Sequence, residues 1–278
     1  MPRHLTILAL LAACTEPPPL PAPPPEAAAD LNIPLTAQWP SDHAELRVLD
    51  TVTPMGTLLV AVDPGHGSGS NSGNSSSLCI DEQDHNLRLA QHLALSFAAG
   101  DHTPPLLTRD SNAGPRYRAR ASRAHAAGAD ALISLHSDSR GAHHGWSPAA
   151  GLDCSYNDGH PGFAILWSDE GEPTMVAARL ALARAIAARM DQAGFMPYDG
   201  DVYTGLYEGD PQHPGVFVDR HEPKKRIFML RRPAMPSVII ETHNAWDRLE
   251  EARWQQDATL EAFDAAVLAA LSDWGAEG

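Results

Sequence analysis

The sequence predicts an α/β domain built on a largely parallel sheet with helices on both faces. Three observations carry that expectation. Continuous apolar runs such as "TLLVAVD" (57–63) and "SVII" (237–240) read as strands buried on both sides. Stretches of helical period separate the runs, and strand and helix alternate along the chain, as parallel crossovers require. With 278 residues, 43% of them hydrophobic, the chain can bury one sizeable core or two small ones.

Each element follows from local pattern. After "TLLVAVD", the segment "DEQDHNLRLAQHLALSFAA" places Leu87, Ala90, Leu93, Ala94 and Phe97 at helical spacing. Asp81 stands where an N-cap would, with Asp84 three residues on as a weak capping-box partner. "PPLLTR" reads as a second strand, "RYRARASRAHAAGA" as an Ala/Arg-rich helix and "DALISLH" as a third strand. "GFAILW" is a fourth, followed by the long helix "EPTMVAARLALARAIAARMDQAG", closed by Gly194. "SVIIETHN" is a late buried strand, and "EARWQQDATLEAFDAAVLAALSDW" the terminal helix. The stretches "CSYNDGHPG" and 198–223 are rich in Gly, Pro and Asp and read as irregular, the second as an insertion before the last strand. "GAHHGW", with His143 and His144, reads as a solvated loop.

The N-terminus carries a targeting signal. "MPRHLTILALLAAC" has a basic start, a short apolar run and small residues ahead of Cys14; the run is too short to span a bilayer and reads as an export signal. "Leu11-Ala12-Ala13-Cys14" also resembles the bacterial lipobox, whose cysteine is acylated and becomes the new N-terminus. Thr15 in place of an aspartate implies, on that resemblance, sorting to the outer membrane; an ordinary secretory signal with an incidental cysteine is the alternative. The resulting organisation is a lipoprotein signal peptide at 1–13, a Pro-rich tether at 14–30, a lead-in at 31–56 and the α/β domain at 57–278. The expected location is the periplasm, with a membrane contact through lipid on Cys14.

Charge removes partners rather than naming them. Twenty Lys and Arg against 35 Asp and Glu leave a formal charge of -15, which argues against nucleic acid and against electrostatic docking on anionic lipid. Of the three cysteines, Cys79 and Cys154 remain once Cys14 is lipidated. In an oxidising compartment that pair suggests a disulfide. The other reading makes Cys79 a thiolate metal ligand.

Ligands in such folds gather beyond the carboxyl ends of strands. His66 follows "LLVAVD" in the string "DPGHGSGS", His136 closes "DALISLH", Glu241 closes "SVIIE", and Glu82 opens the first helix. Two imidazoles and one carboxylate are a donor set for Zn2+ with an open fourth position, leaving the second carboxylate for proton transfer. Cys79, Asp81 and Asp84 compete with Glu82 for its role. Taken singly, His66 is a loop residue, His136 a core histidine and Glu82 a first-turn acid favourable to the helix dipole.

The segments "VAVDPGHG", "EQDHNLRLAQHLA", "LLTR", "RASRAHAAGADALISLHSDS" and "PSVIIET" resemble, in order, the motifs of the zinc-dependent N-acetylmuramoyl-L-alanine amidases, the amidase type 3 family. The resemblance runs from about Leu58 to Trp274. It implies a three-layer αβα fold with a six-stranded mixed sheet. It also implies Zn2+ on His66, Glu82 and His136, with Glu241 as the catalytic carboxylate. The implied substrate is peptidoglycan, cut between N-acetylmuramic acid and the L-alanine of the stem peptide, in wall turnover or cell separation. A protein activator is a further partner that the sequence does not identify. This chain departs from the family pattern at Gln83, His125 and Thr242-His243-Asn244, where the family usually has Lys, Asn and, after the catalytic Glu, Gly-Phe. Arg109 and Arg120 are candidates for oxyanion stabilisation or for a plain salt bridge at the sheet edge. Relatives with an inhibitory helix ahead of the last strand have no counterpart in 198–223, which lacks helical period. Two other functions use the same residues: a zinc peptidase acting within the stem peptide, and a wall-binding lipoprotein without catalysis.

Overall fold

The computed structural model of the protein describes residues 45–50 and 55–277. The expected signal peptide, Cys14, the tether and most of the lead-in fall outside the described residues. Seven strands form one sheet: β1 (Val60–Pro64), β2 (Leu106–Leu107), β3 (Ala131–Asp138), β6 (Ala164–Trp167), β7 (Tyr207–Gly209), β8 (Val216–Asp219) and β9 (Ser237–Asn244), in the order β2-β1-β3-β9-β6-β8-β7. Strands β4 (His144–Trp146) and β5 (Cys154–Tyr156) make a separate antiparallel hairpin. The helices are α1 (Glu82–Ala99), α2 (Tyr117–Ala126), α3 (Pro173–Gln192), α4 (Phe228–Arg231), α5 (Arg248–Trp254) and α6 (Asp257–Glu277).

The sheet is mixed, as expected. β2, β1, β3 and β9 run parallel, β6 is antiparallel to β9 and parallel to β8, and β7 is antiparallel to β8. Alternation divides the core between two faces. Val60, Val62, Ile133, Leu135, Val238 and Ile240 pack on one side with α1, α3 and α6. Ala61, Leu132, Leu166 and Ile239 face the other side, toward α2, α4 and the tyrosines Tyr198 and Tyr203. The larger layer takes the helices with the longest apolar stripes: Leu89, Ala90, Leu93 and Phe97 on α1, and Leu182, Ile186 and Met190 on α3, all fully buried.

Four expectations need correction, the first being that the one terminal helix read from the pattern is two, α5 and α6, broken at Gln255–Gln256. The sheet has seven strands rather than six, because the stretch 198–223 is not irregular throughout: it contains β7 and β8, paired with each other and with β6. The run Val216–Phe217–Val218 is buried, but it is three residues long between Gly and Asp, too short to register as a strand against such flanks. "CSYNDGHPG" and "GAHHGW" likewise supply β5 and β4, although His143 and His144 remain exposed as a solvated loop would have them. Asp81 does occupy the N-cap of α1, yet its side chain makes no cap bond. The incoming loop does that work with backbone: Asn74 O accepts from Glu82 N at 2.9 Å and Ser72 O from Gln83 N at 2.9 Å.

Two connections tie the periphery down. Leu46 and Leu49 of the lead-in lie against the main core, and Arg47 N donates to Ala193 O at 2.8 Å. Gly194, φ +96°, lets this segment cross the end of α3, since a Cβ there would stand 2.4 Å from Glu45 O. Cys79 and Cys154 are joined, with their Cα atoms 5.3 Å apart, so Cys79 offers no thiolate to a metal. The bond links the β1–α1 loop to the β4–β5 hairpin across 75 residues. Among the described residues no helix is long and apolar enough to cross a membrane. Replacing both Cys79 and Cys154 with Ser is expected to lower unfolding free energy by about 2–4 kcal/mol, read by urea titration of reduced and oxidised protein.

Candidate metal centre

The chain leaves β1 through the turn Pro64–Gly67, where several carbonyl groups point into the interior. Two buried guanidiniums receive them. Arg109 donates to Pro64 O (2.7 Å), Gly65 O (2.9 Å) and Gln83 O (2.7 Å). Arg120 donates to Pro64 O (2.8 Å), His66 O and Pro115 O, and pairs with Asp63 at 3.1 Å. Asp63 is fully buried and also accepts from Ser134 at 2.7 Å and from Thr108. Burial and the neighbouring Arg120 pull the Arg109 guanidinium down to about 10. Both arginines sit in the interior rather than at the sheet edge, and their donors are taken by protein carbonyls. They buttress the turn and are not placed to hold an oxyanion.

That turn carries His66 in a left-handed backbone conformation, φ +60°, which a side chain with a Cβ adopts at a cost. Its Nδ1 lies 2.8 Å from Asn71 Oδ1 and its Nε2 3.1 Å from Glu82 Oε2. Glu82, in the first turn of α1, is 4% exposed. Its other oxygen is 2.9 Å from Nδ1 of His136 on β3. The two imidazoles meet edge to face, 4.9 Å between centroids. Gly65 makes the approach of β1 and β3 side chains possible, for a Cβ there would stand 2.2 Å from His136 Nε2. Asn74 completes the shell: its backbone and side-chain N–H groups both donate to Glu82 Oε2 at 3.0 Å, and its side chain also donates to Ser137 O at 2.6 Å. Burial pushes the Glu82 carboxyl up, but hydrogen bonds from His136 and His66 hold it well below the usual carboxylate range.

One ligand atom from each of His66, Glu82 and His136 lies within 4.8 Å of the others. Two imidazoles and a carboxylate with an open side match the donor set of catalytic Zn2+ sites. Asn71 occupies the far nitrogen of His66 and so turns the other toward the common centre, the arrangement that orients metal-binding histidines. The residues present fit the metal. Asp81, Asp84 and Cys79 are not part of the cluster.

Glu241 arrives from β9. In the parallel pair β3–β9, His136 and Glu241 are register partners, so their Cα atoms are neighbours across one strand spacing. Glu241 Oε2 is buried and accepts no hydrogen bond. Burial, with Asp138 and Glu82 nearby, pushes its carboxyl well above the usual range, while Arg140 opposes the rise. Past Glu241 the register shifts: His136 pairs with Glu241 but Asp138 with Asn244, giving β9 one extra residue. This bulge carries His243 away from the carboxylate. His243 is fully buried, 2.9 Å from Glu251 and stacked on Trp254 at 5.4 Å. Thr242 meanwhile donates to His136 O at 3.0 Å, supporting the strand end.

Several residues at the site gave no sequence signal. Asn71 and Asn74 lie in a polar Ser/Gly/Asn loop where no periodicity marks them. Arg140 is buried against the Tyr198 ring (3.9 Å) and donates to Asp138 at 2.9 Å; Asp138 also accepts from Tyr203 OH, so the 198–223 segment reaches the surroundings of Glu241. Exchanging Gly65 for Ala is expected to displace His136. Removing the Asn71 amide (Asn71→Ala) should weaken metal affinity by about 10–100-fold. Competition with a chromogenic chelator checks both, with circular dichroism confirming the fold.

Comparison with known proteins now bears on the chain as a whole. The N-acetylmuramoyl-L-alanine amidase family model (Amidase_3) matches residues 60–273. No curated protein matches the sequence. Among solved structures, the amidase AmiC2 of Nostoc punctiforme is similar at 20% identity and TM-score 0.55, covering 79% of this chain and 97% of its own. Ami1 of Mycobacterium smegmatis is similar at 18% identity and TM-score 0.61, covering 81% and 100%. The CwlD amidase of Clostridioides difficile, solved in complex with the GerS lipoprotein, is similar at 14% identity and TM-score 0.54, covering 80% and 100%. These likenesses speak for the fold, and the match spanning nearly all of the domain places this chain in the N-acetylmuramoyl-L-alanine amidase family.

Proposed function

We propose that the chain hydrolyses the amide between the lactyl group of N-acetylmuramic acid and the L-alanine of peptidoglycan stem peptides, with Zn2+ held by His66, Glu82 and His136. The observation that carries the reading is the strand-end pairing of His136 with Glu241, whose buried Oε2 has no partner. A buried carboxylate oxygen left without a hydrogen bond is costly and is retained where it serves chemistry. When bound, Zn2+ supplies Lewis acidity, lowering the pKa of water and polarising the scissile carbonyl. Glu241 removes a proton from the attacking water and delivers it to the departing amine of L-alanine. Asn71 and Asn74 keep His66 and Glu82 in place, and Arg109 and Arg120 hold the turn that presents His66.

The biological setting is proposed from the chain's beginning. An export signal at 1–13 and a lipobox ending in Cys14 support a periplasmic enzyme anchored to the outer membrane, working in wall turnover or cell separation. A Pro-rich tether would confine such an enzyme near its polymer and raise its effective concentration. Mass spectrometry of the mature N-terminus tests the anchor: diacylglyceryl and acyl mass on Cys14 supports it, and an unmodified cleavage product refutes it. The CwlD–GerS complex supports looking for a protein partner.

The decisive experiment digests purified murein with metal-depleted and zinc-restored protein. Glycan free of peptide, together with intact stem peptides, is expected only after zinc is restored. Shortened stems still joined to muramic acid would instead favour a peptidase acting within the stem. Glu241→Gln is expected to keep zinc at one equivalent while losing at least about 100-fold in rate. Full activity in that variant would remove Glu241 from the reaction.

A further inference from the structure

Three loops leave the carboxyl ends of adjacent strands β1, β3 and β9, close to where His66, His136 and Glu241 stand on the turn after β1, on β3 and on β9. Beyond the site these same loops meet again. Trp246, two residues past β9, donates its Nε1–H to Ser75 O at 3.2 Å, and Trp146 of β4 donates to Ser77 O at 2.8 Å. Ser75 and Ser77 belong to the loop whose Asn74 grips Glu82. The rings of His143 and Trp246 lie 4.6 Å apart, His144 and Tyr156 5.7 Å, Trp146 and Tyr156 6.2 Å. Arg248 covers the Tyr156 ring at 4.2 Å and is held by both oxygens of Asp158. Both histidines are exposed and the three larger rings half-buried.

A row of aromatic rings on a two-stranded hairpin needs an account. If its purpose were only to pack the hairpin on the domain, the disulfide Cys79–Cys154 would already hold the same loop to β5. The indole N–H groups are turned inward onto backbone carbonyls and are satisfied there; Arg248 lies over the Trp146 ring at 5.2 Å as it does over Tyr156, which leaves Trp246, with the exposed His143 beside it, as the indole without a guanidinium over it. An aromatic face is the surface a pyranose recognises, since the sugar ring lies flat over it with its axial C–H bonds pointing at the negative π-face. The exposed imidazoles of His143 and His144 supply hydrogen bonds for hydroxyl and acetamido groups. A peptide would call for an open strand edge and side-chain pockets instead.

We propose that the ridge formed by Trp246, His143, Tyr156 and Trp146, with Arg248 laid over the last two rings, binds the glycan strand of the substrate beside the metal centre, an N-acetylated pyranose ring stacking on Trp246. This rests on the amidase reading for its ligand class. A cut at the junction of glycan and peptide requires the glycan to lie against one wall of the site. The 74–77 loop makes the ridge that wall, because it holds Glu82 at one end and the indoles along its length.

The test uses the full chain carrying Glu241→Gln and beads bearing glycan strands stripped of stem peptide. Retention on the beads, displaced by soluble chitohexaose, is expected. Trp246→Ala and Tyr156→Leu should each weaken retention by about 10-fold, and Trp246→Phe should restore most of it by keeping an aromatic face. His143→Ala, an exposed site that cannot unfold the domain, should weaken it too. Leu95→Ser, about 20 Å along α1 from Glu82, should leave it unchanged. No retention of the parent chain overturns the proposal, as does full retention in Trp246→Ala and Tyr156→Leu with a native circular dichroism spectrum. Displacement by free stem peptide but not by chitohexaose assigns the ridge to peptide and overturns it equally. The beads contain no scissile amide, so the outcome is independent of the murein digestion that tests hydrolysis.

Discussion

Where β1 ends, the backbone of residues 64–66 turns its carbonyl groups inward, and the side chains of Arg109 and Arg120 meet them. These are charged groups in the interior, with Arg120 and Asp63 both fully buried. A buried ion pair stripped of one member typically costs about 3–5 kcal/mol, so the charges persist only because every participant is answered. Asp63 balances Arg120, Thr108 and Ser134 satisfy the rest of Asp63, and backbone oxygens take the remaining guanidinium donors. The result is a turn stiff enough to keep His66 in a left-handed conformation. His66 and, through Arg109 at Gln83 O, the N-terminal turn of α1 take their positions from it.

Glu82 and Glu241 place two carboxyl groups of one site in opposite environments. Glu82 is surrounded by donors from His66, His136, Asn74 and Asn86, which favour its charged form. Glu241 has a buried oxygen without a partner and two carboxylates nearby, which raises its affinity for a proton, as a proton acceptor requires. Environments that drive the proton affinities of like groups apart suit them to different tasks. The bulge after Glu241 contributes to the separation. By adding a residue to β9, it sends His243 to Glu251 and Trp254, away from the carboxylate.

The long elements were legible because each carries its own periodic signal. β1, β3 and β9 are continuous apolar runs, and α1, α3 and α6 show helical spacing over four turns or more. Strands β7 and β8 were not, because three or four residues between Gly, Pro and Asp hold no periodicity of their own; their pairing with each other and with β6 makes them strands. Asn71, Asn74 and Arg140 were equally hidden. A polar residue in a loop looks the same whether it faces water or grips a buried carboxylate.

By itself the amino-acid sequence determined the alternating α/β order, the strand ends on which His66, His136 and Glu241 sit, and the family to which the motifs point. Those features are local: an apolar run and the residue that ends it lie side by side in the chain. The tertiary structure decided that His66, Glu82 and His136 converge, that Glu241 stands beside His136 in register, and that Arg109 and Arg120 serve the turn rather than the substrate. It also decided that Cys79 is bonded to Cys154. These are relations between residues 16 to more than 100 positions apart, set by strand order and by the burial of charge, and no window along the chain contains them.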